Sequence, residues 1–347
     1  MHLRLIRPAT LAFISLALAC RSSSENKEAD ATPPVVVYCS VDDAFARPLL
    51  ADFDSRTGLS VQPLFDSEAG KTTGLIERLR AERRRPVADV WWSSEIFGTI
   101  NLAAGGLLKP SRPASAQDLP DRYRDSQGRW VAFGLRARVI AYDPRRVSPN
   151  AVPRRWAELS QPEYASRVAL ANPQFGTTRG HMAVMLDLWG EEAFVEFLNG
   201  LARNEIRIAD GNSQSVLMVT RGQVDFAWTD TDDVYVAQMR GDSVALVFPD
   251  LDAPDGRSIP GTLWIPNTVG LVAGGPNPQA ARRLIEYLAS SELELQLARS
   301  TSGNIPVRPK LVRQLDRIAP TPAAVDYQAA ASVMPRSDDL TRTILLR

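Results

Sequence analysis

The chain has 347 residues, 44% hydrophobic and 23% charged, enough to bury a large core and to divide into two lobes. Lysine plus arginine equals aspartate plus glutamate at 40 each, and so even a balance leaves no electrostatic footprint for nucleic acid. With 2 cysteines and 2 histidines in all, a structural zinc cluster is excluded.

At the N-terminus, Arg4 and Arg7 precede an apolar run from Ala9 to Ala19, which ends at Cys20. So short a run reads as the core of a signal peptide over residues 1–19, because a membrane span needs roughly 20 apolar residues. Cys20 follows small residues as in a bacterial lipobox, so lipidation there is expected, with residues 20–34 as a flexible polar tether. Ordinary cleavage, with Cys20 a bystander, is the alternative. Either route exports the chain, and the first makes it a periplasmic, membrane-anchored lipoprotein. Without Arg4 and Arg7 the mature chain carries 38 basic against 40 acidic residues, and it keeps one histidine, His181. Cys39 is then alone, a small apolar residue after a buried strand.

Val35–Cys39 is a continuous apolar, β-branched run, the mark of a strand buried on both faces. Phe45, Leu49, Leu50 and Phe53 then recur at helical spacing until Gly58. Leu59–Phe65 alternates as a second strand, Leu75, Ile76 and Leu79 stripe a charged helix, and Ala88–Trp92 reads as a third strand. This rhythm predicts a parallel sheet with helices on its faces, and ligands in such sheets bind beyond the carboxyl ends of the strands. The turns at Ser40 and at Ser93-Ser94-Glu95 should therefore face one crevice. Further on, Trp130–Gly134, Ala137–Tyr142, Val168–Ala171, Val224–Trp228 and Thr268–Val272 read as strands. Helices are expected after Gly176-Thr177-Thr178 and from Asn277 to Ser290. Gly70-Lys71-Thr72 lacks the first glycine of a phosphate-binding loop, where Phe65 stands, and Arg83-Arg84-Arg85 reads as a solvated helix end.

The ordered series Val37-Tyr38 to Asp42, Phe53 to Gly58, Ala88 to Glu95, Gly106 to Pro110 and Gly222 to Ala227 resembles ferric-iron-binding periplasmic proteins, the solute receptors of ABC importers. Arg136-x-Arg138 with Tyr142-Asp143, Asn212-Ser213 and Asn304-Ile305-Pro306 extend the resemblance over nearly all of Val35 to about Lys310. It implies an α/β fold of the periplasmic binding protein type II kind, with two lobes closing on a hinge over a ligand cleft. The expected division places residues 35–136 and 262–310 in lobe 1, and 137–261 and 311–347 in lobe 2. It also implies a monomer working with a permease and an ATPase in the inner membrane.

Family members use a Tyr-Tyr pair, a Glu and often a His to hold iron. Here Glu95 matches, Asp42 stands at the His position, and Asp232-Asp233 stand at the Tyr-Tyr pair. Asp42, Glu95, Asp230, Asp232 and Asp233 would thus offer hard oxygen donors to a metal cation such as Fe³⁺, Mn²⁺, Ca²⁺ or Mg²⁺. Helix capping is the structural alternative for Asp42 and for the aspartates from Asp230 on, and an exposed turn for Glu95. An anion sharing the metal would be held by Ser40, Arg136, Arg138, Gly176, Thr177, Thr178, Asn212 and Ser213. There Gly176-Thr177-Thr178 supplies a helix N-terminus, and at most one of the two arginines enters the crevice.

The expected function is a non-enzymatic solute-binding lipoprotein of an ABC importer, with a metal cation as transported ligand and no catalytic cofactor. A second reading keeps the receptor but seats an organic cation, thiamine- or polyamine-like, against Trp91, Trp92 or Trp228. A third is an exported hydrolase or transferase using paired carboxylates. Serine or cysteine hydrolysis would have to run through His181, and no nucleophile signature accompanies it.

Overall fold

Val35, Val37, Tyr38 and Cys39 are buried, and their β-branched run forms the strand β1 (Val35–Cys39). The computed structural model describes residues 33–66, 70, 72–315 and 320–346. The signal segment, Cys20 and the tether up to residue 32 lie outside the described residues. Helix α1 (Asp43–Thr57) buries Ala46, Leu49, Leu50 and Phe53 on one face. Gly58 ends it in the left-handed region at φ 67, donating its N–H to the Asp54 carbonyl. There follow β2 (Val61–Phe65), α2 (Thr73–Ala81), β3 (Val90–Ser93), α3 (Phe97–Ala104), β4 (Leu108–Lys109) and the long β5 (Trp130–Tyr142). Next come β6 (Val168–Ala171), α4 (Gly176–Trp189), α5 (Glu191–Arg203), β7 (Arg207–Ala209), α6 (Asn212–Thr220), β8 (Phe226–Asp230), α7 (Thr231–Met239) and β9 (Ala245–Val247). The described chain closes with β10 (Trp264–Val272), α8 (Pro278–Leu288), α9 (Ser291–Arg299), α10 (Pro309–Val312) and α11 (Tyr327–Leu345).

The strands join in one mixed, ten-stranded sheet, in the order β2-β1-β3-β10-β5-β8-β6-β7, with β4 on β10 and β9 on β5. β1 pairs in parallel with β2 and β3, β6 in parallel with β7 and β8, and the central pairings through β10 and β5 are antiparallel. The carboxyl ends of β1 and β3 carry Ser40 and Ser93-Ser94, and the Ser40 hydroxyl accepts the Ser94 N–H at 3.0 Å. These two turns therefore meet.

β5 is a single strand of 13 residues where the sequence suggested two. Its first part pairs with β10 as far as Ala137, and from Arg138 it pairs with β8. Between Pro266 and Thr268 the register slips, so that Phe133 and Gly134 oppose the single residue Asn267. Gly134 takes φ +69 there, and Asn267 Nδ2 donates to its carbonyl. A bulge with a left-handed glycine bends a strand without ending it, which is why the apolar pattern reads as broken. β8 runs from Phe226 to Asp230, two residues further than its apolar core suggests, so Asp230 is a strand residue and not part of the turn.

Candidate functional site

The site is built at the corner where β8 passes into α7. Asp230 is the last residue of β8 and occupies the cap position of α7, yet its side chain makes no cap bond. The register that sets Arg138 opposite Asp230 turns the carboxylate toward the neighbouring strand instead. It accepts from Arg138 Nη1 at 2.7 Å, Thr177 Oγ1 at 2.7 Å and Asn212 Nδ2 at 2.9 Å. Arg136 Nη1 stands 3.8 Å away. Burial opposes the charge on Asp230, but Arg138 and Arg136 outweigh it and hold the carboxyl below its ordinary range.

Arg138 is fully buried and serves as the organising cation. Its guanidinium also donates to Thr177 and Thr178 at the start of α4, to Asn212 at the start of α6 and to His181. Arg136, two residues away, shares its face of the strand. Arg136 donates to Asp232 at 2.9 Å and to the Ser94 carbonyl, so it ties the β3 turn to the β8 corner. Both arginines thus converge on the acidic corner, and Arg136 alone of the two lines the small cavity beside it. That cavity measures about 30 Å³ and is bounded also by Gly176, Thr177, Thr178, Asn212 and Asp230.

Asp230, Asp232 and Asp233 each bring one carboxylate oxygen within 4.8 Å of the others. Asp232 is 4% exposed, and its Oδ1 is buried with no hydrogen-bond partner. Burial raises its pKa, against Arg136, and the negative charges of Asp230 and Asp42 raise it further. Asp233 accepts from Thr229 at 3.0 Å. Asp42 sits at the cap position of α1 without a side-chain cap bond. With Asp232, Asp233 and Ser213 it lines a second, larger cavity of about 470 Å³. Four carboxylates here face two guanidinium groups, so the corner is acidic although partly compensated.

Glu95 is expected among the metal donors, with an exposed turn as the alternative, and it is not exposed. It is buried, and its carboxylate accepts the N–H groups of Phe97 at 2.6 Å and Gly98 at 3.1 Å, capping α3. Burial raises its pKa against those bonds and the charges of Arg179 and Arg136. The signal was present in the sequence, since an acidic residue just before a helix is a common cap. Ser40 is committed to Ser94 and Thr72, stitching strand ends together. The apolar walls of the larger cavity, Ala44, Phe45, Val236 and Met239, carried no motif and were not anticipated.

The geometry bears on the organic-cation reading and on serine or cysteine chemistry through His181. Trp91, Trp92 and Trp228 are buried, Trp228 stacked on Trp156 with centroids 4.5 Å apart, so none offers an open face to an organic cation. His181 is fully buried, its Nδ1 accepting from Trp228 Nε1 at 2.9 Å and Arg138 Nε at 3.3 Å. Burial and then Arg138 push its pKa well below 6.5, so it is a neutral core group and no base for a substrate.

In a mixed α/β sheet the strand ends that carry this charged corner are where such folds bind ligands. The chain belongs to the bacterial extracellular solute-binding protein family, whose model matches residues 100–327. This is a family of exported binding proteins, not of enzymes. Iron uptake protein A1 of Synechocystis is 26% identical over 264 residues, covering 73% of this chain and 70% of that protein. The major ferric iron-binding protein of Neisseria meningitidis is 24% identical over 332 residues, 95% of this chain and 97% of its own length. Among solved structures, iron-bound HitA from Pseudomonas aeruginosa superposes with TM-score 0.77 at 21% identity, covering 90% of this chain and 100% of that one. That last likeness carries the fold.

Proposed function

We propose that this protein is the periplasmic, lipid-anchored receptor of an ABC importer for a metal cation, with Fe³⁺ the leading candidate. Its partners would be a permease and an ATPase in the inner membrane. The observation that carries the reading is the trio Asp230, Asp232 and Asp233, whose oxygens lie within 4.8 Å of one another, with one buried oxygen of Asp232 unpartnered. Hard carboxylate donors suit a small, highly charged cation, and relatives over most of the chain carry iron in their names.

The three donors to Asp230, with Arg136 3.8 Å away, leave it an orienting role, so Asp232 and Asp233 are the primary ligands in this reading, with Asp42 joining from beyond the end of β1. Glu95 is spent on α3. A cation at Asp232 competes with Arg136, whose guanidinium would then be released toward the small cavity. There Arg136, Asn212 and the N-terminus of α4 favour a small oxyanion beside the metal. Receptor action needs motion, and we assign residues 35–136 and 262–310 to one lobe and 137–261 and 311–347 to the other. The change of partner in β5 between Ala137 and Arg138 supports a hinge at that point.

Elemental analysis of the mature protein, purified without chelators and then loaded with ferric ion, tests the proposal. About one equivalent of tightly held iron is expected. A protein that stays iron-free, and that exchanges no other divalent or trivalent ion, contradicts it.

A further inference from the structure

Arg83-Arg84-Arg85-Pro86-Val87 forms the turn beyond α2, whose last helical residue is Ala81, and the cation site makes no use of it. On the helix itself Arg78 pairs with Glu82 and Arg80 with Glu77. These two already place basic charge in the last turn, where the helix dipole favours it. The next three arginines are exposed, and none meets a carboxylate at ion-pair distance among the described residues. Val87 follows them at 43% exposed, one of two large hydrophobic side chains exposed among the described residues. The run also lies where the N-terminal segment joins the fold. Two residues on, the Asp89 carboxylate accepts the N–H groups of Val36 and Asn277, and Asn277 Nδ2 donates to the Pro34 carbonyl at 3.1 Å. A Cβ on Gly106 would lie 3.8 Å from Arg83 Nη2, and one on Gly274 would lie 3.2 Å from Pro86 Cγ. The Ala273 N–H donates to the Leu107 carbonyl between those glycines, so the turn is held on this one edge. Because β1 and β3 are parallel, it is the amino edge of both. Asp42 and Ser94 follow their carboxyl ends, a strand length of about 16 Å away.

Resting on the lipid-anchored part of the reading above, we infer that Arg83, Arg84, Arg85 and Val87 form a docking patch for an anionic phospholipid surface. A lipid on Cys20 draws the protein to the bilayer through the edge at which residue 33 enters, and the patch lies on that edge. Guanidinium groups bind phosphate oxygens in pairs, and clustered basic residues add their attraction to a negative headgroup layer. Val87 adds an apolar contact beside them. A lipid chain and a basic cluster together hold a protein at a membrane more firmly than either does alone. In this pose the cation site, at the opposite strand ends, stays turned from the bilayer and open to incoming cargo.

Co-sedimentation with vesicles tests the patch, using the full mature chain kept free of lipid by Cys20→Ser. At low salt this parent should bind phosphatidylglycerol vesicles at least about tenfold more tightly than phosphatidylcholine vesicles, and added salt should erase the preference. Arg83→Gln, Arg84→Gln and Arg85→Gln together should weaken binding to phosphatidylglycerol by about tenfold. Val87→Ser should weaken it by about threefold. Both variants should melt as the parent does, since these side chains are exposed. The control set Arg203→Gln, Arg207→Gln and Arg221→Gln removes the same charge from exposed positions elsewhere and should change binding by less than about twofold. No preference for the anionic vesicles overturns the inference, as does a triple variant that binds like the parent, which would leave the run to an acidic protein partner. An equal loss in the control set overturns it too, by making net charge the cause. None of these results touches the cation site or the anchor, and the vesicle measurement decides the patch whether or not Cys20 carries lipid.

Discussion

Arg138 and Asp230 illustrate how a buried pair can serve a site without being its ligand. Both side chains are fully buried, 2.7 Å apart, and the pair is hydrogen-bonded on every side by Thr177, Thr178 and Asn212. Removing one partner strands the other charge out of water, so Asp230→Ala should cost about 3–5 kcal/mol in denaturant unfolding. A loss below about 1 kcal/mol would mean that the hydroxyls and Asn212 satisfy Arg138 alone. Away from the site, Glu294 pairs with Arg308, and burial, against Arg308, pushes its pKa up to about 7 from 4.5. A raised folded-state pKa means that the native protein holds this proton more tightly than the unfolded chain does. The resulting stabilisation is full below about pH 4.5 and is lost as pH rises through about 7, on the order of 3 kcal/mol in all. The melting difference between wild type and Glu294→Gln, followed from pH 4.5 to 8, should therefore shift steadily in favour of the variant. A pH-independent difference would place the Glu294 pKa near its ordinary value.

At the scale of elements, strands and helices with strong local patterns were legible, because burial on both faces or on one stripe dictates composition. β1, α1 and α4 fall where the apolar spacing puts them. β5 did not, because a bulge at Gly134 interrupts the alternation while the ladder continues. The acidic corner was legible as residues, since Asp230, Asp232 and Asp233 follow a buried strand. Its compensation was not: Arg138 meets Asp230 across 92 residues of chain, a contact set by strand register alone. The contact of α3 with α4 tests the two-lobe proposal, since it joins segments assigned to different lobes. A Cβ on Gly180 would lie 2.3 Å from the Phe97 ring. Gly180→Ala should thus wedge the closed arrangement, weakening ligand affinity by about tenfold while changing the ligand-free melting by less than about 0.5 kcal/mol. Equal loss of stability with and without ligand would show that α3 and α4 never part.

For the molecule as a whole, export and anchoring depend on a segment outside the described residues, and Cys20→Ser isolates that question. If Cys20 carries lipid, the variant should move from the membrane to the soluble fraction with its ligand binding unchanged. Identical soluble fractionation of variant and parent would remove the anchor and leave the receptor intact. The central claim is that carboxylates stand where relatives of this kind are expected to carry phenolates, and that they still hold a cation as cargo. A ligand that binds only the folded state raises its stability by about 2.7 kcal/mol at a hundredfold excess over Kd. The most direct measurement is the melting temperature of wild type and of the Asp232→Asn, Asp233→Asn double variant, each with and without ferric ion. The account predicts a clear rise for wild type and none for the double variant, whose metal-free fold melts as the parent does or slightly higher. An equal rise in both, or no rise in either, would contradict it.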